Sequence, residues 1–317
     1  MINVLTSIKV PRRNRELLPE SLHGAYDSLE KGMLSFHDSI PLPGDPQMIE
    51  NNYQFLWSAV LLDHPEIFYV GRQFELLKSW NLEIRPHYTI SQKEVGTTSA
   101  DLMREIRRVD KALAVTRDPY RIILSVHDWL ASTVVYDEDA PRAFDVTGAL
   151  LDHKAVCQGI SAAASLMLSY AGLSCATCFG KLRQKNDSWH AWNVIDFNGR
   201  LGHMDITNDL VSLHRHVSHG HLLMTESVAH RLLSWQGKVD KPIDFDYYRA
   251  TGTFAHNMNE FVKIAKNMIS AGMDDGEIKI PMCYMNEIEG VLPKVFAGFG
   301  IEYVYDPELE IFTFKIQ

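Results

Sequence analysis

The chain is poor in cysteine: only Cys157, Cys175, Cys178 and Cys283 occur in 317 residues. That is too few for a disulfide scaffold and fits a reducing compartment, where a lone thiol is worth inspecting. It also lacks any apolar run approaching the ~18 residues of a bilayer-spanning helix, so no transmembrane segment is expected. Positive charge is in the minority, with Lys plus Arg 31 against Asp plus Glu 40 and a net charge of −9. With no basic stripe, nucleic acid and anionic membrane are not expected as main partners. The first twenty residues place their basic side chains after a short mixed stretch, the wrong order for a secretory signal. A cytoplasmic protein is the expectation, or an exported one if a leader has been removed. Internal repeats and low-complexity tracts are missing too. What is present, 46% hydrophobic, 22% charged and 10% aromatic residues, is the profile of a globular chain of enzyme size.

Periodicity divides the chain into three expected regions. Residues 1–95 read as a mostly helical N-terminal extension, with helices over 22–34 and 46–62 and β-prone runs at 67–70 and 83–90. Residues 96–235 hold helices over 99–115, 119–133 and 157–171, then strands over 174–182, 189–197 and 200–206. Asp118 and Pro119 form a helix-start pair, and Gly172 is a helix stop. After a linker near 236–245, residues 240–317 read as a small α+β unit without evident chemistry.

Chemistry concentrates in the middle region. Cys157, in Ala155-Val156-Cys157-Gln158-Gly159, opens a helix whose unpaired N–H groups and dipole favour a thiolate. A nucleophile needs a base, and the base an orienting group. Downstream, Asn198-Gly199 separates two β-prone runs, the strongest short hairpin signal. Pairing Phe197 with Arg200 sets Trp192 opposite Asp205 and His190 opposite Thr207. His190 and Asp205 then become diagonal neighbours on one face, about 7–8 Å apart at the backbone.

The segments AVCQGISAAASLMLSYAG, SWHAWNVI and NGRLGHMDITND resemble the transglutaminase-like core superfamily, of papain-like fold. The resemblance is specific over about 100–212 and loose over 20–95. TVVYDED at 133–139 and DHPEIFYV at 63–70 look like its bacterial cysteine-protease branch. It implies an α+β fold, with a helix carrying the cysteine packed on an antiparallel sheet carrying the histidine and aspartate. Carried over residue by residue, it implies Cys157 as nucleophile, His190 as base and Asp205 as its orienter. The implied activity is a hydrolase, a protease or amidase acting on peptide or carboxamide bonds through an acyl-thioester. Transfer of the acyl group to an amine and a non-catalytic peptide-binding module are the alternatives. The expected partner is a peptide or protein substrate. No cofactor and no metal are called for. The backbone N–H of Cys157, with a side chain from Trp129 or Tyr136, is the candidate oxyanion site.

Other clusters have plainer expected readings. Cys175 and Cys178 lie three apart in a strand and so face opposite ways, with no second pair to complete a zinc site. His214, His216, His219 and His221 read as a solvated loop without accompanying carboxylates, and Asp137, Glu138 and Asp139 as a helix-exit loop. Trp189 and Trp192 are expected as packing residues.

Overall fold

The computed structural model describes residues 3–78, 80–113, 118–183, 188–211, 217–237 and 240–317. The N-terminal part contains α1 (Arg13–Leu17), α2 (His23–Leu34), β1 (Ile40–Pro41), α3 (Pro46–Asp63), β2 (Val70–Lys78) and β3 (Leu82–Tyr88). Then come α4 (Gln92–Leu113), α5 (Pro119–Thr133), β4 (Val135–Tyr136), β5 (Lys154–Ala155), α6 (Cys157–Tyr170), β6 (Cys175–Leu182), β7 (Ser188–Phe197) and β8 (Arg200–Met204). The remainder is α7 (Glu226–Leu232), β9 (Leu233–Trp235), α8 (Tyr247–Thr251), α9 (Met258–Ser270), β10 (Asp275–Lys279), α10 (Met285–Val295), β11 (Ile301–Asp306) and β12 (Ile311–Ile316). The fold is α+β, as the sequence leads one to expect. No helix among the described residues is long and apolar enough to cross a membrane.

Helix starts follow local chemistry. The Asp45 and Asp118 side chains accept from Met48 N and Tyr120 N, with Pro46 and Pro119 in the first turn. α4 begins seven residues before the expected 99, because Ser91 N and Oγ both donate to Glu94 Oε2, at 2.8 and 2.6 Å. The S-x-x-E spacing of a capping box was the available signal. The β-prone run at 67–70 is a turn over 67–69, closed by Ile67 N to His64 O and Val70 N to Ile67 O, and Val70 opens β2. Its residues Ile67, Phe68 and Tyr69 are buried, so their apolar character reflects packing and not extension.

The central sheet has the order β8-β7-β6-β9 and is antiparallel throughout. Both faces are covered. Cys175 and Ile195 belong to the main apolar cluster with α6, whereas Cys178, Trp192 and Val194 join a smaller one with α7. The two cysteines thus face opposite sides, as expected, and all four thiols are free. Burial pushes Cys175 up to about 12 and Cys178 up to about 11, which keeps both as inert thiols.

One apolar cluster runs from Leu5 to Ile243 and joins the N-terminal helices to α5 and α6. A buried carboxylate ties these parts together. Asp63 accepts from Asn14 N and Nδ2, Arg15 N and Tyr26 Oη, all within 2.7–2.9 Å, and Asn14 Nδ2 also reaches Thr177 O on β6. The last eighty residues or so contribute their own cluster around Phe261, Ile278, Phe312 and Phe314, under the β10-β12-β11 sheet order.

Candidate functional site

Cys157 stands at the first position of α6, and the chain before it is clamped: Val156 N donates to Ala143 O at 3.0 Å. Gly159 is required here, since a Cβ would collide with Ala143 O and Asp145 O. The body of α6 is pinned lengthwise on the sheet. Asn193 Nδ2 on β7 donates to Ser161 O and Ser165 Oγ, both at 2.9 Å, and Ser165 Oγ pairs with Thr177 Oγ1 at 2.9 Å. These buried polar groups satisfy one another only in one axial setting, which fixes Cys157 relative to the strand carrying His190.

The β7–β8 hairpin turns at Asn198 and Gly199, both with positive φ (55° and 78°), and pairs Phe197 with Arg200 as expected. The expected register is kept only as far as Asn193 opposite Met204. Asp205 then caps a 3-10 turn over Ile206–Asp209, so the pairings of Trp192 with Asp205 and His190 with Thr207 do not form. The departing chain nonetheless delivers Asp205 Oδ2 to His190 Nε2 at 2.7 Å. Asn208 Nδ2, from the same turn, donates to that oxygen at 2.8 Å. With Nε2 on Asp205, His190 Nδ1 is the nitrogen left for another partner, and Cys157 is near enough to act on the charge of the ring. His190 and Asp205 are thus in direct contact, with Cys157 in their neighbourhood.

Electrostatics favour a charged ring. Burial alone works against an imidazolium, but the charge and hydrogen bond of Asp205, then the Cys157 side chain, raise His190 to about 10. Burial likewise works against the Asp205 carboxylate, yet His190 outweighs it and holds Asp205 below the usual range. Trp192 stacks near His190, at 6.2 Å and 17°, and donates Nε1–H to His203 Nδ1 at 3.0 Å. His203, beside Glu226, is pushed below the ordinary histidine value by burial, so two buried histidines on one hairpin are set to opposite charge states.

Tyr136 is raised to about 12, by burial first and by the neighbouring Cys157 charge second. Trp129, the other oxyanion candidate, packs edge-on to His153 at 5.9 Å. Trp189 is 65% exposed and lies flat on Phe179 at 4.7 Å, with Lys181 over it. Asp137 pairs with Lys154 at 3.0 Å and accepts from Asp139 N, which makes the acidic run a tied loop. A cavity of about 270 Å³ reaches Gln158 along with Arg72, Phe144 and Asp145; its lining does not include His190 or Asp205.

The histidine segment corrects the sequence reading. His219 and His221 are largely buried and carboxylate-bound: His219 Nε2 to Asp128 Oδ1 at 3.0 Å, and His221 Nδ1 to Asp209 Oδ1 at 2.8 Å. The carboxylate of His219 comes from α5, far away in sequence, whereas that of His221 lies twelve residues upstream. His214 and His216 lie outside the described residues. Sequence reasoning also missed His127, which is fully buried between Asp128 and Asp209.

No curated protein matches the chain. A solved structure described as a TGase is similar at 14% identity and a TM-score of 0.31, covering 52% of this chain and 49% of that one. The chain thus spans about half the length of that structure. A putative cysteine protease from Cytophaga hutchinsonii is similar at 13% identity and a TM-score of 0.29, covering 55% of this chain and 77% of that one. The model of the Transglutaminase-like superfamily matches residues 107–206, a span that contains Cys157, His190 and Asp205. The stretch 107–206 is thus similar to the core of the transglutaminase-like superfamily.

Proposed function

We propose that the protein is a cysteine hydrolase that cleaves peptide or carboxamide bonds through Cys157, His190 and Asp205. The observation that carries this reading is the buried His190, bonded at Nε2 to Asp205 over 2.7 Å, with Cys157 near enough to act on its charge. Cys157 Sγ attacks the carbonyl carbon, and the developing oxyanion lies at the start of α6, near the Cys157 N–H. His190 gives its proton to the leaving amine as the C–N bond breaks, leaving an acyl-thioester. Water then attacks the thioester carbonyl, His190 takes its proton, and Cys157 is released with the acid product. Asp205 holds the ring tautomer and stabilises the imidazolium without taking its proton.

Incubation of the protein with a peptide and carboxamide library, followed by mass spectrometry, tests this reading. Cleavage products and an acyl adduct on Cys157 are expected from the wild type, and neither from Cys157→Ala. Turnover retained in Cys157→Ala with an unchanged circular dichroism spectrum ends the proposal. Supplying a primary amine separates hydrolysis from acyl transfer, since a transferase yields the amide in place of the acid.

A further inference from the structure

We propose that His127 and Asp128 on α5, with His219 from the segment after β8, bind one divalent transition-metal ion of the zinc class. His127 Nδ1 lies 2.9 Å from Asp128 Oδ1 and His219 Nε2 lies 3.0 Å from the same oxygen. The three donor atoms fall within 4.8 Å of one another. With metal–nitrogen bonds of about 2.0–2.1 Å, two imidazoles on one tetrahedral ion have centroids roughly 5 Å apart. The His127 and His219 centroids are 5.4 Å apart.

Behind each ring stands a second carboxylate. His127 Nε2 meets Asp209 Oδ2 at 3.1 Å, and His219 Nδ1 faces Glu277 Oε2 at 3.6 Å. Both are almost wholly buried and are held in turn, Asp209 by His221 and Glu277 by the Tyr248 hydroxyl at 2.9 Å. Carboxylates in this position orient metal-bound imidazoles and set their tautomer. A neutral imidazole can donate from only one nitrogen, yet each of these rings has carboxylate oxygens at both. Either a second proton on each ring or a cation shared with Asp128 balances this arrangement, and one divalent ion does so at a single point.

Two imidazole nitrogens and one carboxylate oxygen suit zinc, cobalt or nickel and not calcium or magnesium. Asp128 is 43% exposed, so water can reach a fourth position. The Tyr247 ring, stacked on His219 at 4.0 Å, holds that ligand in place. Glu277 belongs to β10, so the ion would brace the C-terminal unit against α5.

The test uses untagged, chelator-treated Cys157→Ala protein, which removes one competing thiol, titrated with Zn²⁺ by calorimetry. One ion per chain is expected, with a rise in melting temperature. Asp128→Asn, which keeps the side-chain shape, should weaken binding by about 100-fold or more, as should His219→Gln. No binding, or binding that both variants leave within about twofold, overturns the site. If either variant unfolds, zinc X-ray absorption on the Cys157→Ala protein decides: two imidazoles in the shell support the site, and a shell lacking them overturns it.

Discussion

Two groupings of histidine with carboxylate in this molecule differ in effect. Near Cys157 one imidazole is bonded to one carboxylate, and the pair is kept in place by the 3-10 turn after β8. Around His127 and His219, two imidazoles are interleaved with three carboxylates drawn from α5, the 206–209 turn and β10. The first arrangement leaves the ring one nitrogen for a reacting group. The second engages both nitrogens of each ring and so suits holding, whether of protons or of a metal ion. The two adjoin: His221, which bonds Asp209, and Asp205 each shift the other toward the charged form.

Breaking the first arrangement should cost activity, and breaking the second should cost stability. Cys157→Ala is expected to remove turnover entirely while the thermal transition stays in place. Asp205→Asn should lower kcat/KM by about 10²–10⁴-fold, because His190 loses both its orienter and its counter-charge. Asp209→Asn leaves two buried histidines short of a carboxylate and should destabilise by about 3–5 kcal/mol in urea unfolding, with a far smaller effect on rate than Asp205→Asn.

The pH dependence sharpens the contrast. His190 is raised to about 10 from 6.5, so its contribution to stability is complete below 6.5 and lost as pH rises through about 10. Histidine NMR of the wild type should show that high transition, and Asp205→Asn should bring it down. The smallest effect is expected at the rim: Trp189→Ala, with the ring mostly in solvent, should change stability by about 1 kcal/mol or less. A larger change in KM at unchanged kcat would identify Trp189 as a substrate contact.

The parts legible in the sequence were those fixed by local rules. α5 matches its expected bounds because Asp118 and Pro119 define its start, and the β7–β8 turn follows from Asn198-Gly199. His190 and Asp205 were assigned to one another from that turn, although the contact is made by a chain leaving the strand and not by the full ladder. What stayed hidden depends on residues remote in sequence. Asp128 and Glu277 reach His219 only through tertiary packing, so a segment rich in histidine read as a solvated loop. The anchoring of the N-terminal region through Asp63 and Asn14 to β6 is of the same kind.

The most direct test of the central claim compares two thiols in one molecule: Cys157, partly buried, and Cys283, exposed. Alkylation by iodoacetamide at about pH 6, resolved by peptide mass spectrometry, should modify Cys157 faster than Cys283 despite its poorer access. Asp205→Asn should remove that advantage. Equal or slower reaction at Cys157 in the folded wild-type protein would contradict the account, because a cysteine partnered by a charged His190 could not then be the nucleophile.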